Sequence, residues 1–534
     1  MQDNKNVPYI QNAMTIAFLI VLVIIFSGTI FLTSSKFNNE VNSIKKFFLL
    51  ISFLLLLFVL IIINGYRKFN TLLVNHLFNA LFCVGTIECV NVITQYLLLL
   101  NNGLYKVIPT GTFENPAGVI THLVLLFPLG LSWLLKINGG KKIIVVSQIL
   151  LYIFVVCVCE SRAGLTAMLI SSVILFTNNN SFRKLLSNPF IIIGLIIIFS
   201  LLCVIIYRWK LDSSNGRILI WTICLNMIKA KPLLGYGHDG FTANYMLAQA
   251  DYFFNNPYSQ YARLADNTSN PFNLFLHITI ILGIIGLLCL VGLLVFLFYR
   301  VSRLKNEINI IWYSVMGSLL TMSMFTYPLH YAPVWFIVVL LLLYPIHGLL
   351  PSKICLCSRI IIASIIGGCL YCVNHMVLNE IRWKQVQDKS FNEGKTYSML
   401  KYYKRLYPQL RYNKYFLYNY GAELNYCGYY TESKQIMDEC INKLNNYDVQ
   451  LIQADNYYNI GDTISAINSY KIASLMIPCR FIPLKELLAI YIAQDDREKA
   501  LSIAKKIIYK PIKIPSDVVY KIRNEAKDYY EHNK

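Results

Sequence analysis

The chain carries little charge for its length. Only 14% of its 534 residues are Asp, Glu, Lys or Arg, whereas 56% are hydrophobic. Soluble domains carry about 25% charged residues, so the composition excludes a soluble protein as a whole. Acidic residues are the scarcest, with 28 Asp and Glu against 48 Lys and Arg, a net charge of +20. A protein embedded in anionic lipid accounts for that charge, and no nucleic-acid partner is indicated.

Metal-binding patterns are also lacking. Most of the fourteen cysteines lie in apolar runs, where they serve as small packing residues. The close pairs at 157–159 and 355–357 lack the spacing and the His partners of a zinc site, so we predict no metal. Three cysteines fall in the polar carboxyl-terminal part, where two of them can pair in an oxidising compartment: Cys427, Cys440 and Cys479.

Instead, the chain contains apolar runs about twenty residues long, each sufficient to cross roughly 30 Å of hydrocarbon. The first run is too long for a removable signal peptide, so we expect it to be an anchor. The runs predict about eleven membrane helices, near residues 12–33, 46–65, 72–100, 116–136, 141–159, 162–178, 189–208, 272–299, 308–326, 332–349 and 358–379.

Basic residues in the short loops predict the orientation of these helices. Loops rich in Lys and Arg alternate with loops that are poor in them, and the basic set is expected in the cytoplasm. One outward loop, 34–45, contradicts this rule because it contains Lys36 and Lys45. The predicted fold is all-α, with a polytopic membrane bundle at 1–383 whose long outward loop spans 209–271. Residues 384–534 then lie outside the cytoplasm.

Residues 384–534 differ in composition and show a repeat. Gly428, Gly461 and Gln494 recur 33 residues apart, each after a Tyr and before a small residue. This period predicts pairs of short helices similar to tetratricopeptide repeats, which present concave binding surfaces. We therefore expect a domain that binds an acceptor, and irregular helices without repeat symmetry are the alternative.

The long interruption at 208–286 gathers cations beside Pro and Gly residues, and such cations suit a lipid-linked phosphate or diphosphate. An ordinary basic surface loop is the alternative. Residues 213–215 are predicted to cap a helix whose first turn contains Arg217, so that the helix amino end and the guanidinium together bind phosphate. The cations and the histidine of this stretch are Arg208, Lys210, Arg217, Lys229, Lys231 and His238.

Other ionisable residues are also candidates. Glu160 and Arg162 lie at the outer join of two runs, where they either neutralise each other or Arg162 meets an anion. His238 and Asp239 lie at a glycine-rich bend and are candidates for proton transfer, although His238 also suits an ordinary surface position. Glu88 lies inside the third run, where a carboxylate requires an explanation.

Five segments in order combine into a wider pattern: TGTFENPAG (110–118), ESRAG (160–164), Gly216–Arg217 with Trp221 and PLLGYGHDGF, FNLFLHITIILGIIG (272–286) and TYPLHYAP (326–333). Together, over roughly 110–335, they resemble the bacterial O-antigen ligase and polymerase superfamily, which includes protein O-oligosaccharyltransferases. The added carboxyl-terminal repeats resemble a form of that superfamily.

The resemblance implies a GT-C-like glycosyltransferase of the inner membrane that uses no metal and no cofactor. Its donor would be an undecaprenyl diphosphate-linked glycan, transferred at the periplasmic face to a hydroxyl of lipid A core, a polysaccharide or a protein. The arginines of the family fall on Arg162 and Arg217, which would stabilise the diphosphate leaving group. The expected substrate-binding residues are Lys210, Lys231, Asn273 and Glu160.

The chain differs from the family pattern at the base that activates the acceptor. The resemblance implies a His before the Asn of the second motif, but Phe272 precedes Asn273 here. Asp266, His238 and His277 are the candidates, and we rank them in that order.

Two other classes of function remain open. A flippase for lipid-linked sugars requires charge through the bilayer, whereas the cations here cluster on one face. A binding or assembly protein requires fewer spans than eleven. Ligase, polymerase and protein glycosyltransferase activities are not separated by the sequence, and the repeats favour a large or proteinaceous acceptor.

Overall fold

The computed structural model describes residues 6–63, 71–177, 211–304, 306–346 and 355–534. In these ranges the chain is all-α, as predicted, and two short 3-10 helices occupy Gln260–Arg263 and Pro328–His330. The α-helices are α1 (Asn6–Phe31), α2 (Asn42–Ile63), α3 (Thr71–Asn101), α4 (Pro116–Lys136), α5 (Lys141–Val158), α6 (Arg162–Phe176), α7 (Leu211–Ala230), α8 (Gly240–Asn255), α9 (Leu274–Arg303), α10 (Ile308–Phe325), α11 (Ala332–Ile346), α12 (Leu356–Phe391), α13 (Thr396–Leu410), α14 (Lys414–Tyr426), α15 (Tyr430–Ile441), α16 (Tyr447–Ile460), α17 (Thr463–Met476), α18 (Ile482–Ala493), α19 (Arg497–Tyr509) and α20 (Asp517–Asn533).

The membrane bundle agrees with the hydropathy pattern. Among the described residues, seven helices are long and apolar enough to cross a membrane, and α1, α6 and α11 contain shorter apolar helices. These ten helices coincide with ten of the predicted runs. The eleventh run, 189–208, lies outside the described residues. The chain is therefore a polytopic helical membrane protein.

The chain divides into two compact units. Unit 1 comprises Met1–Val204 and Val291–Lys384, and unit 2 comprises Ile205–Leu290 and Gln385–Lys534. The sequence predicted that the long loop 209–271 belongs with the membrane helices, but it folds with the carboxyl-terminal helices instead. The reason is apolar burial across a large sequence separation, which no local pattern reveals.

Helix α8 carries this contact within unit 2. Phe241 and Tyr245 of α8 are buried in one core with Tyr447 and Met476 of the carboxyl-terminal helices. Burial of each large side chain contributes about 1.5–3 kcal/mol, so the contact is a substantial part of the unit. The buried amide of Gln249 also donates to the backbone oxygen of Met476 at 2.6 Å. The long loop therefore forms an integral layer of unit 2.

Helix α4 is the centre of unit 1. It packs against α3, α5, α6, α10 and α11, and a continuous run of its residues, 118–132, is buried. A helix that is apolar on every face is expected in such a position. Asn115 caps its amino end by accepting from Gly118 N–H, and Pro116 occupies the first turn. The cap fixes the junction between the loop at 102–115 and α4, where the first resemblance segment, 110–118, lies.

Contacts at one end of unit 1 resolve the disagreement over loop 34–45. The buried ammonium of Lys45 donates to the backbone oxygen of Thr112 and lies 4.2 Å from the centre of the Phe113 ring. The Cys159 thiol contacts the Pro109 carbonyl at 3.7 Å. Loops 34–45, 102–115 and 159–161 therefore share this end, as the loop charges predicted. Lys45 contributes to packing there, and the assignment of this end to the periplasm stays a prediction.

Basic loops lie together at the opposite end of unit 1. Lys136 lies 3.8 Å from Glu307, and the Arg359 guanidinium donates to the backbone oxygen of Ile61 at 2.9 Å. This grouping of loops also follows the predicted alternation. The assignment of this end to the cytoplasm stays a prediction.

The carboxyl-terminal helices form three consecutive pairs, α14 with α15, α16 with α17, and α18 with α19. A residue in the left-handed region makes the turn of each pair: Gly428 (φ 80°), Gly461 (φ 93°) and Asp495 (φ 56°). Gln494, the third residue of the 33-residue spacing, directly precedes the third turn and caps the carboxyl end of α18. The small residues that follow the repeat positions are fully buried: Ser433, Ala466 and Ala500.

The cysteines of this region are unpaired. Cys427, Cys440 and Cys479 are free thiols. Cys440 is buried in α15, where its thiol contacts the backbone oxygens of Lys414 and Leu444. The disulfide that the sequence allowed is therefore not formed in the described structure.

Candidate functional site

The residues around Arg217 form the best-defined part of the candidate site. The described part of α7 starts at Leu211, so residues 213–215 lie inside the helix. The predicted cap is therefore wrong, because residues 213–215 and Arg217 all lie within the helix.

Helix α7 uses two residues one turn apart to hold the segment that precedes α9. The guanidinium of Arg217 lies 5.8 Å from the centre of the Phe272 ring. The indole N–H of Trp221 donates to the backbone oxygen of Pro271 at 2.9 Å. Residues at i and i+4 lie on the same helix face, so the spacing Arg-x-x-x-Trp accounts for this joint contact.

Phe272 and Asn273 immediately precede α9. Phe272 adopts a positive φ of 52°, which a bulky side chain rarely does. Asn273 accepts a hydrogen bond from Leu276 N–H at 3.0 Å, as an amino-terminal cap does. Its side chain, expected to bind substrate, therefore has a structural role in starting the helix. Phe272 occupies the place of the expected His, and its ring contacts Arg217.

Arg162 has the helix-end geometry that was predicted for Arg217. Ser161 caps α6 by accepting from Gly164 N–H at 3.1 Å, and Arg162 is the first residue of that helix. Glu160, immediately before the cap, has a positive φ of 50°. A capped helix amino end beside a guanidinium suits an anion. Arg162 belongs to unit 1 and Arg217 to unit 2.

Asp266, ranked first as the base, lies against the carboxyl-terminal helices. Its carboxylate accepts from Asn267 N–H at 2.9 Å and lies 3.9 Å from the guanidinium of Arg480. The side chain is half-exposed, so one oxygen can still meet a second molecule. No signal in the sequence pointed to Arg480 as its neighbour.

The two histidine candidates differ in accessibility. His238 is exposed on the bend after Gly237, whose φ is 83°. His277 lies in the first turn of α9 with its ring 5.8 Å from that of Phe241. Its Nδ1 atom is buried without a hydrogen-bond partner in the described structure. Only His238 is therefore placed to meet an acceptor without movement of the fold.

The remaining candidates have separate positions. Asp239 forms an ion pair with Lys414 of α14 at 3.0 Å, and Lys414 also donates to Thr242. Asp239 thus joins the long loop to the carboxyl-terminal helices and is not available as a base. Lys231 is exposed and lies 4.6 Å from the centre of the Tyr236 ring. Lys210 lies outside the described residues.

Glu88, whose position inside an apolar run required an explanation, supports the loop before α4. Its carboxylate accepts from the backbone N–H and the hydroxyl of Thr112, at 2.8 and 3.0 Å. Asn91 donates to its other oxygen at 3.3 Å. The buried carboxylate therefore has a structural role, as buried polar groups with full hydrogen bonding usually do.

Sequence reasoning missed a polar cluster at the same end of unit 1. The amide of Asn42 contacts both Glu114 and His330, which lie 3.9 Å apart. The nearby imidazole holds the pKa of the Glu114 carboxyl below its usual value. Tyr331 donates to Asn115 at 2.8 Å beside this cluster. The resemblance segments at 110–118 and 326–333 thus contact each other, although no individual residue of either segment was predicted to be functional.

Fold and site together define a polytopic membrane protein whose basic loop folds with the carboxyl-terminal helices. Within the described ranges, no group of three or more His, Cys, Asp or Glu is placed to hold a metal ion.

Residues 148–291 match the family model described as O-antigen ligase. The match includes the segments around Arg162, Arg217 and Phe272, so this part of the chain is similar to the O-antigen ligase family. Comparison with the curated proteins and with the solved structures gave no significant match.

Proposed function

We propose that this protein transfers a glycan from undecaprenyl diphosphate to an acceptor hydroxyl at the periplasmic face of the inner membrane. The match of residues 148–291 to the O-antigen ligase family is the observation that carries the proposal. That match supports glycan transfer in general, and the donor and the acceptor are part of our proposal.

The reaction exchanges one bond at the anomeric carbon of the glycan. The bond from that carbon to the diphosphate oxygen breaks, and the acceptor oxygen forms the new glycosidic bond. The hydroxyl proton passes to a base, and the lipid diphosphate leaves with the electron pair. Cations that meet the developing negative charge stabilise the transition state more than the ground state.

Arg162 and Arg217 are the proposed diphosphate ligands, each held in a different way. The capped amino end of α6 adds its partial positive charge to that of Arg162. The Phe272 ring under Arg217 orients the guanidinium plane, because cations favour the face of an aromatic ring. Lys210, Lys231 and Glu160 are proposed secondary contacts of the substrate.

The proposed base is Asp266, with His238 and then His277 as the alternatives. The exposed carboxylate oxygen of Asp266 supports this order, whereas the contact with Arg480 weighs against it. His238 has the advantage of exposure on a glycine bend. Direct comparison of the variants therefore has to decide the assignment.

The carboxyl-terminal helices are proposed to bind a large acceptor, such as a glycolipid core, a polysaccharide or a protein. Part of their surface is already occupied by the protein's own loop through Asp239, Thr242 and Gln249. The acceptor surface is therefore one that α8 leaves uncovered. The same packing joins the proposed acceptor-binding helices to the loop that carries Arg217.

The test uses the full chain in liposomes with a polyprenyl diphosphate-linked glycan and an acceptor. We expect free polyprenyl diphosphate and a glycosylated acceptor to appear together. A flippase would move the donor across the bilayer with its glycan still attached, and that outcome would contradict the proposal. Deletion of the gene should show whether lipopolysaccharide, capsule or glycoprotein loses its glycan.

A further inference from the structure

Helix α9 is broken at Gly283. This residue has φ 66° and ψ −169°, a conformation that essentially only glycine adopts. In an unbroken helix, Ile284 N–H would donate to the Ile280 carbonyl. At the break these two groups are released from each other, and each requires another partner.

The loop at 232–237 supplies those partners with its own backbone. Ile284 N–H donates to the Pro232 carbonyl at 2.8 Å, and Tyr236 N–H donates to the Ile280 carbonyl at 2.8 Å. A third bond runs from Gly237 N–H to the Ile281 carbonyl at 3.0 Å. Because backbone groups in a bilayer have no water to bond, a break at that depth persists only where such bonds satisfy it.

Glycine is required on both sides of this contact. A Cβ on Gly283 would lie 1.9 Å from the Leu233 carbonyl oxygen, and one on Gly235 would lie 2.4 Å from the Ile280 oxygen. Gly235 also has a positive φ of 68°. The loop and the helix therefore approach each other as closely as two backbones can.

The tip of the loop is apolar and exposed. Leu233 and Leu234 are 62% and 75% exposed. The helix that leaves the break is exposed and apolar as well, with Ile285 and Leu288 on its surface. The stretch from Leu274 to Arg303 is one of the candidate membrane spans. The leucines therefore continue an apolar surface that belongs to a membrane helix.

Charged and aromatic residues flank the leucines. Lys229 and Lys231 precede them and are exposed, and the ammonium of Lys231 lies 4.6 Å from the Tyr236 ring. Lys and Tyr are enriched where a protein meets the bilayer interface, and long basic side chains extend toward the headgroups.

We propose that the loop at 232–235 is inserted into the membrane beside α9. Leu233 and Leu234 contact phospholipid acyl chains, and Lys229 and Lys231 contact headgroup phosphates. The bilayer is the occupant of this surface because the loop is bonded to the break of a membrane helix. The consequence is that the long loop of unit 2 is held at the lipid surface directly, whatever glycan or acceptor the protein uses.

Photo-crosslinking of the full chain tests the insertion. Benzoylphenylalanine replaces Leu234 in protein reconstituted in phosphatidylethanolamine and phosphatidylglycerol vesicles with an acyl-labelled phospholipid. The same probe at Leu288, 64% exposed on the span, is the positive reference, and at Tyr258, 99% exposed in the long loop, the negative one. We expect lipid labelling at Leu234 comparable to Leu288 and severalfold above Tyr258.

Labelling at Leu234 no greater than at Tyr258 overturns the proposal. So does a cross-link between two copies of the chain in place of a lipid adduct. Adding Gly283→Ala to the Leu234 probe should displace the loop and lower the labelling severalfold. Gly292→Ala is the matched control, because a Cβ there meets nothing within 4 Å and should leave the labelling unchanged.

Discussion

The guanidinium of Arg217 lies over the ring of Phe272, 5.8 Å from its centre. Through this contact the cation of α7 is held at the first turn of α9, beside the bond from Trp221 to Pro271. The planar guanidinium of Arg217 can stack on this ring, which an ammonium group cannot do. This contact gives its replacement by Lys a definite expected outcome.

Replacing Arg162 or Arg217 with Lys should strongly lower glycan transfer while the protein still inserts. Lys keeps the charge but loses the two parallel donors of a guanidinium. We expect a loss of about 2–4 kcal/mol of transition-state stabilisation, by analogy with an oxyanion donor, which is roughly 30- to 1000-fold in rate. Release of polyprenyl diphosphate in the liposome assay measures it. Arg263→Lys, an exposed change in the same loop, is the control. Full activity of both Arg162→Lys and Arg217→Lys would remove the two arginines from the mechanism.

Replacing Asp266 with Asn should leave donor binding intact and abolish transfer, because the amide keeps the shape but takes no proton. The pH profile of transfer separates the candidates. A carboxylate base keeps its activity until well below neutrality, whereas an ordinary imidazole becomes protonated at about pH 6.5 and then no longer accepts a proton. Donor binding and transfer are measured on the same preparation.

The histidine assignment has its own signature. If Asp266→Asn transfers normally and the low-pH loss of activity disappears in His238→Gln, then His238 is the base. His277→Gln provides the third comparison, and its buried Nδ1 leads us to expect a change in stability before any change in the pH profile.

Replacing Gly283 with Ala should destabilise the described fold of α9 and its loop. The strained backbone alone costs about 1–3 kcal/mol for a residue with a side chain, and the contact with the Leu233 carbonyl adds to it. Limited proteolysis within 232–240 should become faster. Gly292→Ala should show the proteolysis rate of the unaltered protein, and equal rates in both variants would mean that the break does not depend on glycine.

The carboxyl terminus is predicted to lie outside the cytoplasm, because the loop charges alternate. A reporter active only in the periplasm should therefore be active when fused after Lys534. Activity of a cytoplasm-only reporter at that position would contradict this prediction. The number of spans would then be even, and the loop with Arg217 would face the wrong side for a periplasmic reaction.

Local patterns in the sequence determined much of this protein. Ten apolar runs became ten helices, and seven of these are long and apolar enough to cross a membrane. The turns at Gly428 and Gly461 followed from glycine at a regular spacing. The region with Arg162 and Arg217 was located from ordered motifs, and the family match covers it.

Tertiary contacts decided the rest. The packing of Tyr245 with Met476 and the ion pair of Asp239 with Lys414 join residues far apart in the chain, so no periodicity reports them. The role of Gly283 depends on where the Leu233 carbonyl lies. Hydropathy depends on composition within a short window, whereas a broken helix, a docked loop or a cation over an aromatic ring depends on distances that only the folded chain creates.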